Sequence, residues 1–146
     1  VRPYRTAMPL GVALQVEVPS DLPRIEADRS LIGRAIINLI ENALQAMPGG
    51  GVLTIRASLE GERIAIEVID TGVGMDSGSI QKIFEPYFST KDAGTGLGLA
   101  IARKAIEEHG GEIEVRSLPG RGTTMRILLP VQRAGGAGGA APPDEL

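Results

Sequence analysis

The sequence contains no cysteine and only one histidine, His109, among its 146 residues. The lack of cysteine excludes disulfide bonds, thiolate nucleophiles and thiolate metal sites. A single histidine leaves little for paired-histidine metal sites or serine–histidine relays. Tryptophan is absent and aromatic residues make up 3% of the chain, so few side chains could stack on nucleic-acid bases. No apolar run approaches the ~18 residues of a membrane span, and the N-terminus lacks a signal-peptide pattern.

The charge balance also argues against nucleic acid and membranes as partners. The chain has 15 basic and 18 acidic residues, a formal net charge of −3, which gives no bulk attraction to DNA, RNA or anionic lipid. Its 42% of apolar residues is ordinary for a soluble globular protein. We therefore expect one globular domain that contacts neither nucleic acid nor membrane.

Hydrophobic spacing predicts five strands and three helices. Strands follow from period-2 alternation, helices from apolar residues at helical spacing, and turns from glycine and proline clusters. The predicted elements are a strand at Val12–Val18, a helix at Arg29–Met47 capped by Asp28, strands at Val52–Ser58 and Arg63–Ile69, a short helix at Ser79–Phe84, a loop at Glu85–Ala93, a helix from Thr95 to His109, and strands at Glu112–Ser117 and Thr123–Leu129. This order predicts an α+β two-layer sandwich, in which helices cover one face of a mixed, mostly antiparallel sheet.

The ends of the chain differ from its middle. Residues 1–11 show no periodicity and are interpreted as the end of a truncated linker, and residues 12–131 are interpreted as the domain. In the segment 132–146, glycine, alanine and proline supply 10 of the 13 residues from Ala134 onward. Such a tail cannot bury a core, so we predict that it is disordered.

The first long helix carries Asn38 and Asn42 one turn apart, in the same stripe as Arg34 and Gln45. One interpretation is the solvated side of an amphipathic helix. The other is functional: asparagine is mildly unfavourable inside a helix, and an amide oxygen is a suitable ligand for Mg²⁺. The helix alone leaves both interpretations open.

A second candidate site, Asp70–Met75, follows a strongly apolar strand. It is either a turn that ends the strand or a site where the Asp70 carboxylate accepts a hydrogen bond from the amine of a base. In the second case Gly72 and Gly74 allow the backbone to approach a ligand closely.

A third candidate, Gly94–Leu99, opens a helix, where free N–H groups and the helix dipole favour an anion. The alternative is a flexible loop entering the helix. The dinucleotide motif GxGxxG fails because position 99 is leucine, and the phosphate-binding loop motif fails because the chain has no Gly-Lys pair.

Taken together, these three segments resemble the N, G1 and G2 boxes of the ATP-binding catalytic domain of bacterial sensor histidine kinases. That domain belongs to a superfamily with the gyrase, heat-shock chaperone and mismatch-repair ATPases. The boxes are Asn38–Ala43, Asp70–Met75 and Gly94–Leu99, and Ile83–Phe88 matches the F box between the last two. The resemblance extends over residues 12–131, through His109-Gly110-Gly111 and the Gly122–Pro130 segment, and the short Ser89–Ala93 segment is similar to that of the nitrogen-regulation type.

The resemblance implies a role for each matching residue. Asp70 holds the adenine amino group, Gly74 gives the base room, and Thr123 supports the adenine side through water. Asn42 ligates Mg²⁺, with Asn38 beside it near the phosphates. Residues 91–98 form a lid over ATP. The implied ATP-binding set is Asn38, Asn42, Asp70, Gly72, Gly74, Lys91, Thr95, Gly96, Leu97, Gly98 and Thr123, of which Asn38, Asn42 and Lys91 are the implied catalytic residues.

Two departures from related patterns bear on the chemistry. Gln45 stands where many members carry a basic residue that reaches the phosphates, which shifts that task to Lys91. Asn38 stands where the sister ATPases carry a glutamate that activates water, so fast hydrolysis is not expected. Glu41 points about 100° away from that side of the helix and is interpreted as solvated surface.

The acceptor of the phosphate is expected outside this sequence. Members of the family phosphorylate a histidine on a separate dimerising helical domain, and the resemblance gives His109 a structural role. Phe84 and Phe88 are interpreted either as core or as packing at the base of the lid or against a partner helix. We expect the chain to be the cytoplasmic catalytic domain of a longer kinase, with a response regulator as its downstream partner.

The sequence therefore predicts an ATP- and Mg²⁺-dependent histidine kinase domain for two-component signal transduction. The alternatives are a serine kinase that regulates a sigma-factor antagonist, a degenerate module that binds nucleotide without transferring phosphate, and a sandwich domain that binds no nucleotide.

Overall fold

The computed structural model describes residues 11–23, 25, 27–86 and 97–131. The predicted tail at 132–146, most of the predicted linker end at 1–11 and most of the loop at Glu85–Ala93 lie outside the described residues. Within the described ranges the elements are β1 (Val12–Glu17), α1 (Arg29–Gln45), β2 (Gly51–Glu60), β3 (Arg63–Asp70), α2 (Ser77–Lys82), α3 (Gly98–Glu108), β4 (Glu112–Leu118) and β5 (Gly122–Pro130).

The strands form one sheet in the order β1-β2-β3-β5-β4. β1 runs parallel to β2, and the other neighbours are antiparallel. The parallel pair is joined by a crossover through α1, because two adjacent parallel strands cannot be joined by a tight turn. The predicted α+β sandwich with a mixed, mostly antiparallel sheet is confirmed.

Capping side chains set the start of the first two helices. Asp28 accepts a hydrogen bond from the Leu31 N–H at 3.0 Å and caps α1, as predicted. Asp76 accepts from the Ser79 N–H at 2.7 Å, so α2 begins at Ser77, two residues before its predicted start. α1 ends at Gln45 rather than at the predicted Met47, although Met47 is still buried in the core.

The core lies between the helices and one face of the sheet. The inner face of α1 is buried at Ile32, Ala35, Leu39 and Ala43 and half-buried at Ile36 and Ile40. Leu39 and Ile106 of α3 have no exposed surface. Sheet residues that alternate toward the helices complete the core: Leu53, Val68, Met125, Ile127 and Leu129. α1 and α3 pack on each other over this layer, so the start of α3 lies beside the middle of α1.

His109 connects the two long helices. Its Nε2 accepts a hydrogen bond from the Asp28 N–H at 3.0 Å, and its Nδ1 lies 2.7 Å from the Ala105 carbonyl oxygen. Both bonds form together when Nδ1 carries the proton and Nε2 is bare. The sole histidine of the chain thus joins the end of α3 to the start of α1, which is the structural role expected for it.

The sheet face turned away from the helices carries a row of alternating charges. The register places one member on each strand, and neighbouring members are paired across the strands: Glu17, Arg56, Glu67, Arg126 and Glu114. We call this set the charge row. Opposite charges in directly facing positions favour this register.

No helix among the described residues is both long and apolar enough to cross a bilayer.

Candidate functional site

A cavity of about 420 Å³ lies where the end of α1, the loop after β3 and the β4–β5 turn meet. Three of the residues singled out in the sequence, Asn42, Gly74 and Thr123, line it together. The remaining lining residues combine apolar and polar side chains: Ala46, Val73, Met75, Asp76, Ser79, Ile83 and Pro119. The cavity therefore joins parts of the sequence that lie far apart in the chain.

The two asparagines of α1 have different surroundings. Asn38 donates a hydrogen bond from Nδ2 to the carbonyl oxygen of Gly98 at 3.1 Å, which holds the first residue of α3 against α1. Asn42 lines the cavity one turn later, and its amide makes no hydrogen bond within the described part of the chain. Both side chains are half-buried, so this side of the helix is not simply solvated surface. Gln45 and Glu41 are exposed, as expected for Glu41.

Asp70 is the last residue of β3, and only 4% of its surface is exposed. Its Oδ1 accepts hydrogen bonds from the N–H groups of Gly72 at 2.8 Å and Thr123 at 3.2 Å. Thr123 pairs with Asp70 across β3 and β5 and is 5% exposed. These bonds fix the carboxylate beside Thr123, a residue of the cavity wall.

The glycines of the loop after β3 fit against protein backbone. A Cβ at Gly72 would lie 2.2 Å from the Ala46 carbonyl oxygen, and one at Gly74 would lie 1.9 Å from the Leu118 carbonyl oxygen. Gly74 also has a φ of +72°, which other residues rarely adopt. The structure shows that both glycines let the loop pack between α1 and the β4–β5 turn. That they also make room for a ligand stays a prediction.

Hydrogen bonds hold the same loop from both sides. The Val73 N–H donates to the Ala46 carbonyl oxygen at 3.0 Å, and the Gly120 N–H donates to the Val73 carbonyl oxygen at 2.7 Å. Asp76 follows at the start of α2, where the hydrogen bond from the Ser79 N–H lowers the pKa of its carboxyl group. The cavity wall is thus fixed by backbone bonds and by a helix cap.

Sequence reasoning missed Ser117, whose hydroxyl joins three parts of the site. Ser117 Oγ accepts from the Met75 N–H at 2.8 Å and lies 2.7 Å from Thr123 Oγ1 and 3.0 Å from the Gly122 carbonyl oxygen. The signal that could have found it is the register of the β4–β5 hairpin, which places Ser117 directly opposite Thr123.

Two of the remaining candidates, Leu97 and Gly98, lie at the start of α3. Both are half-buried there, but Lys91, Thr95, Gly96 and Phe88 lie outside the described residues. Phe84 packs against the core, with the Arg103 guanidinium carbon 5.4 Å from its ring centre. The structure therefore favours the core interpretation for Phe84.

Comparisons with known proteins agree with this architecture. Residues 27–133 match the family model described as histidine kinase-, DNA gyrase B-, and HSP90-like ATPase. Sensor histidine kinase ZraS of Escherichia coli (strain K12) is 41% identical over 120 residues, which cover 82% of this chain and 26% of ZraS. The chain spans between 17% and 26% of the length of its curated relatives ZraS, sporulation kinase E and KinB.

Solved structures give the same result. The catalytic domain of histidine kinase ThkA aligns with a TM-score of 0.74 and 34% identity, covering 83% of this chain and 80% of that one. Full-length ShkA in complex with AMPPNP aligns with a TM-score of 0.72 and 32% identity, covering 85% of this chain and 26% of ShkA. The chain therefore belongs to the histidine kinase-, DNA gyrase B- and HSP90-like ATPases, as an ATP-binding catalytic domain of the sensor histidine kinase type.

Proposed function

We propose that ATP binds in the cavity, with adenine beside Asp70 and Thr123 and the phosphates toward Asn42 and the start of α3. The observation that carries this proposal is the convergence of Asn42 from α1 and Thr123 from β5 on one cavity, with Asp70 bonded to Thr123 behind its wall. Met75 and Ile83 add apolar surface of the kind that packs on a flat base. The alignment with ShkA, which was solved with AMPPNP, supports the same assignment.

Each polar group has one task in this arrangement. The Asp70 carboxylate accepts a hydrogen bond from the adenine amine, and the Thr123 hydroxyl contacts the same edge of the base. Asn38 keeps the start of α3 against α1, which brings the positive end of that helix near the phosphates. Lys91, Thr95 and Gly96 complete the proposed set, together with Leu97 and Gly98.

The residues present also fit a Mg²⁺ ion. The Asn42 amide lines the cavity, and its oxygen is a ligand of the type that Mg²⁺ prefers. The described residues contain no group of three acidic or histidine side chains that could hold a metal by themselves. Phosphate oxygens of the nucleotide would therefore supply further ligands to a bound ion. When bound, Mg²⁺ neutralises phosphate charge during phosphoryl transfer.

The proposed reaction is transfer of the γ-phosphoryl group of ATP to a histidine on a separate dimerisation domain. A nitrogen–phosphorus bond forms, the bond between the γ-phosphorus and the ADP oxygen breaks, and ADP leaves. His109 is a poor acceptor because both of its ring nitrogens make hydrogen bonds inside the domain. Asn38 cannot remove a proton from water, so the phosphoryl group is not readily lost to hydrolysis.

The place of the chain in a larger protein is part of the proposal. Since the curated relatives are several times longer, we propose that a phosphoacceptor domain accompanies this one in the same kinase and that a response regulator acts downstream. Residues 12–131 are proposed to form the catalytic domain. Because ATP is a cytoplasmic substrate, the domain is proposed to work in the cytoplasm.

Calorimetric titration of the 146-residue chain with ATP, with and without Mg²⁺, tests the nucleotide site. We expect Mg²⁺ to strengthen ATP binding, and Asn42→Ala to remove that enhancement. Glu41→Gln is the matched control, because Glu41 is the exposed neighbour on the same helix and should leave binding unchanged. Absence of ATP binding by the unmodified chain, or equal Mg²⁺ enhancement in Asn42→Ala, would contradict the proposal.

Radiolabelled ATP tests the transfer step. The 146-residue chain alone should take up no label on His109, whereas a longer protein that includes the acceptor domain should become labelled on a histidine. Asn42→Ala in that longer protein should abolish the label. Labelling of His109 in the isolated chain would show that the assignment of a separate acceptor is wrong.

A further inference from the structure

Three polar side chains form a row across the end of the sheet, on the face toward the helices. Asp70 of β3 pairs with Thr123 of β5, and Thr123 pairs with Ser117 of β4. Asp70 and Thr123 are buried, and Ser117 is half-buried. Because Thr123 lines the cavity, the hydrogen bonds within this row decide what its hydroxyl group can offer to a ligand.

The hydrogen-bond capacity of Ser117 limits the possible arrangements. A serine hydroxyl has one proton to donate and two lone pairs to accept with. One lone pair takes the Met75 N–H at 2.8 Å. Two further oxygens lie within reach, the Gly122 carbonyl at 3.0 Å and Thr123 Oγ1 at 2.7 Å, and a carbonyl oxygen can only accept.

One arrangement satisfies all of these contacts. Ser117 donates its proton to the Gly122 carbonyl oxygen, and the Thr123 hydroxyl donates its own proton to Ser117 Oγ. If Ser117 instead donated its proton to Thr123, it could not also donate to the Gly122 carbonyl oxygen. Buried polar groups are rarely left without their hydrogen bonds, which favours the first arrangement. In it, Thr123 Oγ1 has no proton left for the cavity.

We propose that Ser117 is a specificity-determining positioning residue, which fixes the Thr123 hydroxyl as a hydrogen-bond acceptor toward the nucleotide base. This inference rests on the proposed binding of ATP in the cavity. Thr123 and the neighbouring Asp70 then both present acceptors to the same edge of the base. An exocyclic amine has two protons to donate to such a site, whereas a carbonyl oxygen at the same position offers only lone pairs.

The consequence is discrimination between 6-amino and 6-oxo purines that depends on Ser117 through Thr123. In Ser117→Ala, the Thr123 hydroxyl loses its acceptor and becomes able to donate to a 6-oxo group. We expect the ratio of the ITP to the ATP dissociation constant to fall by about three- to tenfold, the effect of about one hydrogen bond. Ser117→Thr keeps a hydroxyl group at this position and should retain the ratio.

Calorimetric titrations with ATP and ITP on the 146-residue chain and four variants test the proposal. The variants are Ser117→Ala, Ser117→Thr, Thr123→Val and the double variant Ser117→Ala/Thr123→Val. Thr123→Val removes the hydroxyl at nearly constant shape and should also lower the ratio, because it removes a contact to ATP and a repulsion to ITP. In the double variant, the change at Ser117 should have no additional effect on the ratio.

These outcomes separate a positioning role from a merely structural one. A general loosening of the site would weaken ATP and ITP equally, so an unchanged ratio in Ser117→Ala would overturn the proposal. A ratio that falls further in the double variant than in Thr123→Val would also overturn it, since the effect would then not pass through Thr123. If Ser117→Ala does not fold, an unchanged ratio in Thr123→Val is enough to refute the fixed acceptor, and a lowered one supports it.

The same titrations distinguish this inference from the proposed function. An unmodified chain that binds ATP while its variants keep the same ratio contradicts only the role of Ser117. An unmodified chain that binds neither nucleotide contradicts the proposed ATP site, and the inference fails with it.

Discussion

Adding a methyl group to a glycine has two structural costs: a clash with neighbouring atoms, and strain where φ is positive. Four glycines of this domain show the four combinations of these costs. Gly33, inside α1, has no atom within 4 Å of a built Cβ and an ordinary helical φ. Gly61, in the β2–β3 turn, also has open space but a φ of +62°. A Cβ at Gly72 would lie 2.2 Å from a backbone oxygen without a positive φ, and Gly74 combines a φ of +72° with an approach of 1.9 Å.

The expected changes in unfolding free energy follow from these two terms. Gly33→Ala should stabilise the domain by roughly 0.5–1 kcal/mol, the usual advantage of alanine in a helix. Gly61→Ala should cost about 0.5–1 kcal/mol, because left-handed strain of about 1–2 kcal/mol is partly offset in the unfolded chain. Gly72→Ala should cost about 1–3 kcal/mol for overpacking, and Gly74→Ala about 2–4 kcal/mol for both effects.

Urea unfolding of the four variants measures these differences directly, and ATP titration shows their effect on the site. Gly72→Ala and Gly74→Ala displace the wall of the cavity and should weaken ATP binding, whereas Gly33→Ala and Gly61→Ala should not. If Gly74→Ala were no more destabilising than Gly61→Ala, the close approach to the β4–β5 turn would not exist and the reasoning would be refuted.

Three further predictions concern other hydrogen bonds and ion pairs of the fold. His109→Phe should lower the unfolding free energy by about 1–3 kcal/mol and accelerate amide exchange at Asp28, whose N–H loses its acceptor; unchanged exchange would contradict the link between the helices. Glu67→Gln weakens the centre of the charge row and should cost about 0.5–1 kcal/mol at low salt and less at 1 M salt, so a salt-independent change would contradict it. Folding lowers the pKa of Asp76 below its ordinary value of 3.8. The Asp76 cap therefore stabilises α2 fully above pH 3.8, and this stabilisation is lost as the pH falls through the lowered pKa. NMR titration of the Ser79 amide should show this loss, and Asp76→Asn should remove the dependence on pH.

Most of the secondary structure could be predicted because its signals are local. Asp28 caps α1 where the apolar spacing begins, and the buried positions of that helix are those with helical periodicity. The errors are at helix ends: α1 stops at Gln45, α2 runs from Ser77, where Asp76 serves as its cap, to Lys82, and α3 begins at Gly98 rather than at the predicted Thr95. The sequence predicted a mixed sheet but did not identify β1 and β2 as its parallel pair, because alternation along a strand carries no information about the direction of its neighbour.

The candidate site was predictable in its parts and not in its assembly. The sequence identified Asn42, Asp70 and Thr123, but it contained no direct sign that Thr123 bonds to the Asp70 carboxylate. It assigned Gly74 to a ligand, and only the structure shows that this glycine also packs the loop against the β4–β5 turn. It passed over Ser117, because a lone serine in an amphipathic strand is unremarkable until the register places it beside Thr123.

The sequence by itself determined the fold class, the spans of the main elements and the resemblance to an ATP-binding kinase domain. Periodicity, caps and motifs are properties of neighbouring residues, so they survive without knowledge of the tertiary structure. The tertiary structure alone decided the strand order, the charge row across five strands, the clamp formed by His109 and the hydrogen bonds among Asp70, Thr123 and Ser117. Those features depend on the register between strands distant in sequence, and register is fixed only when the whole sheet packs against its helices.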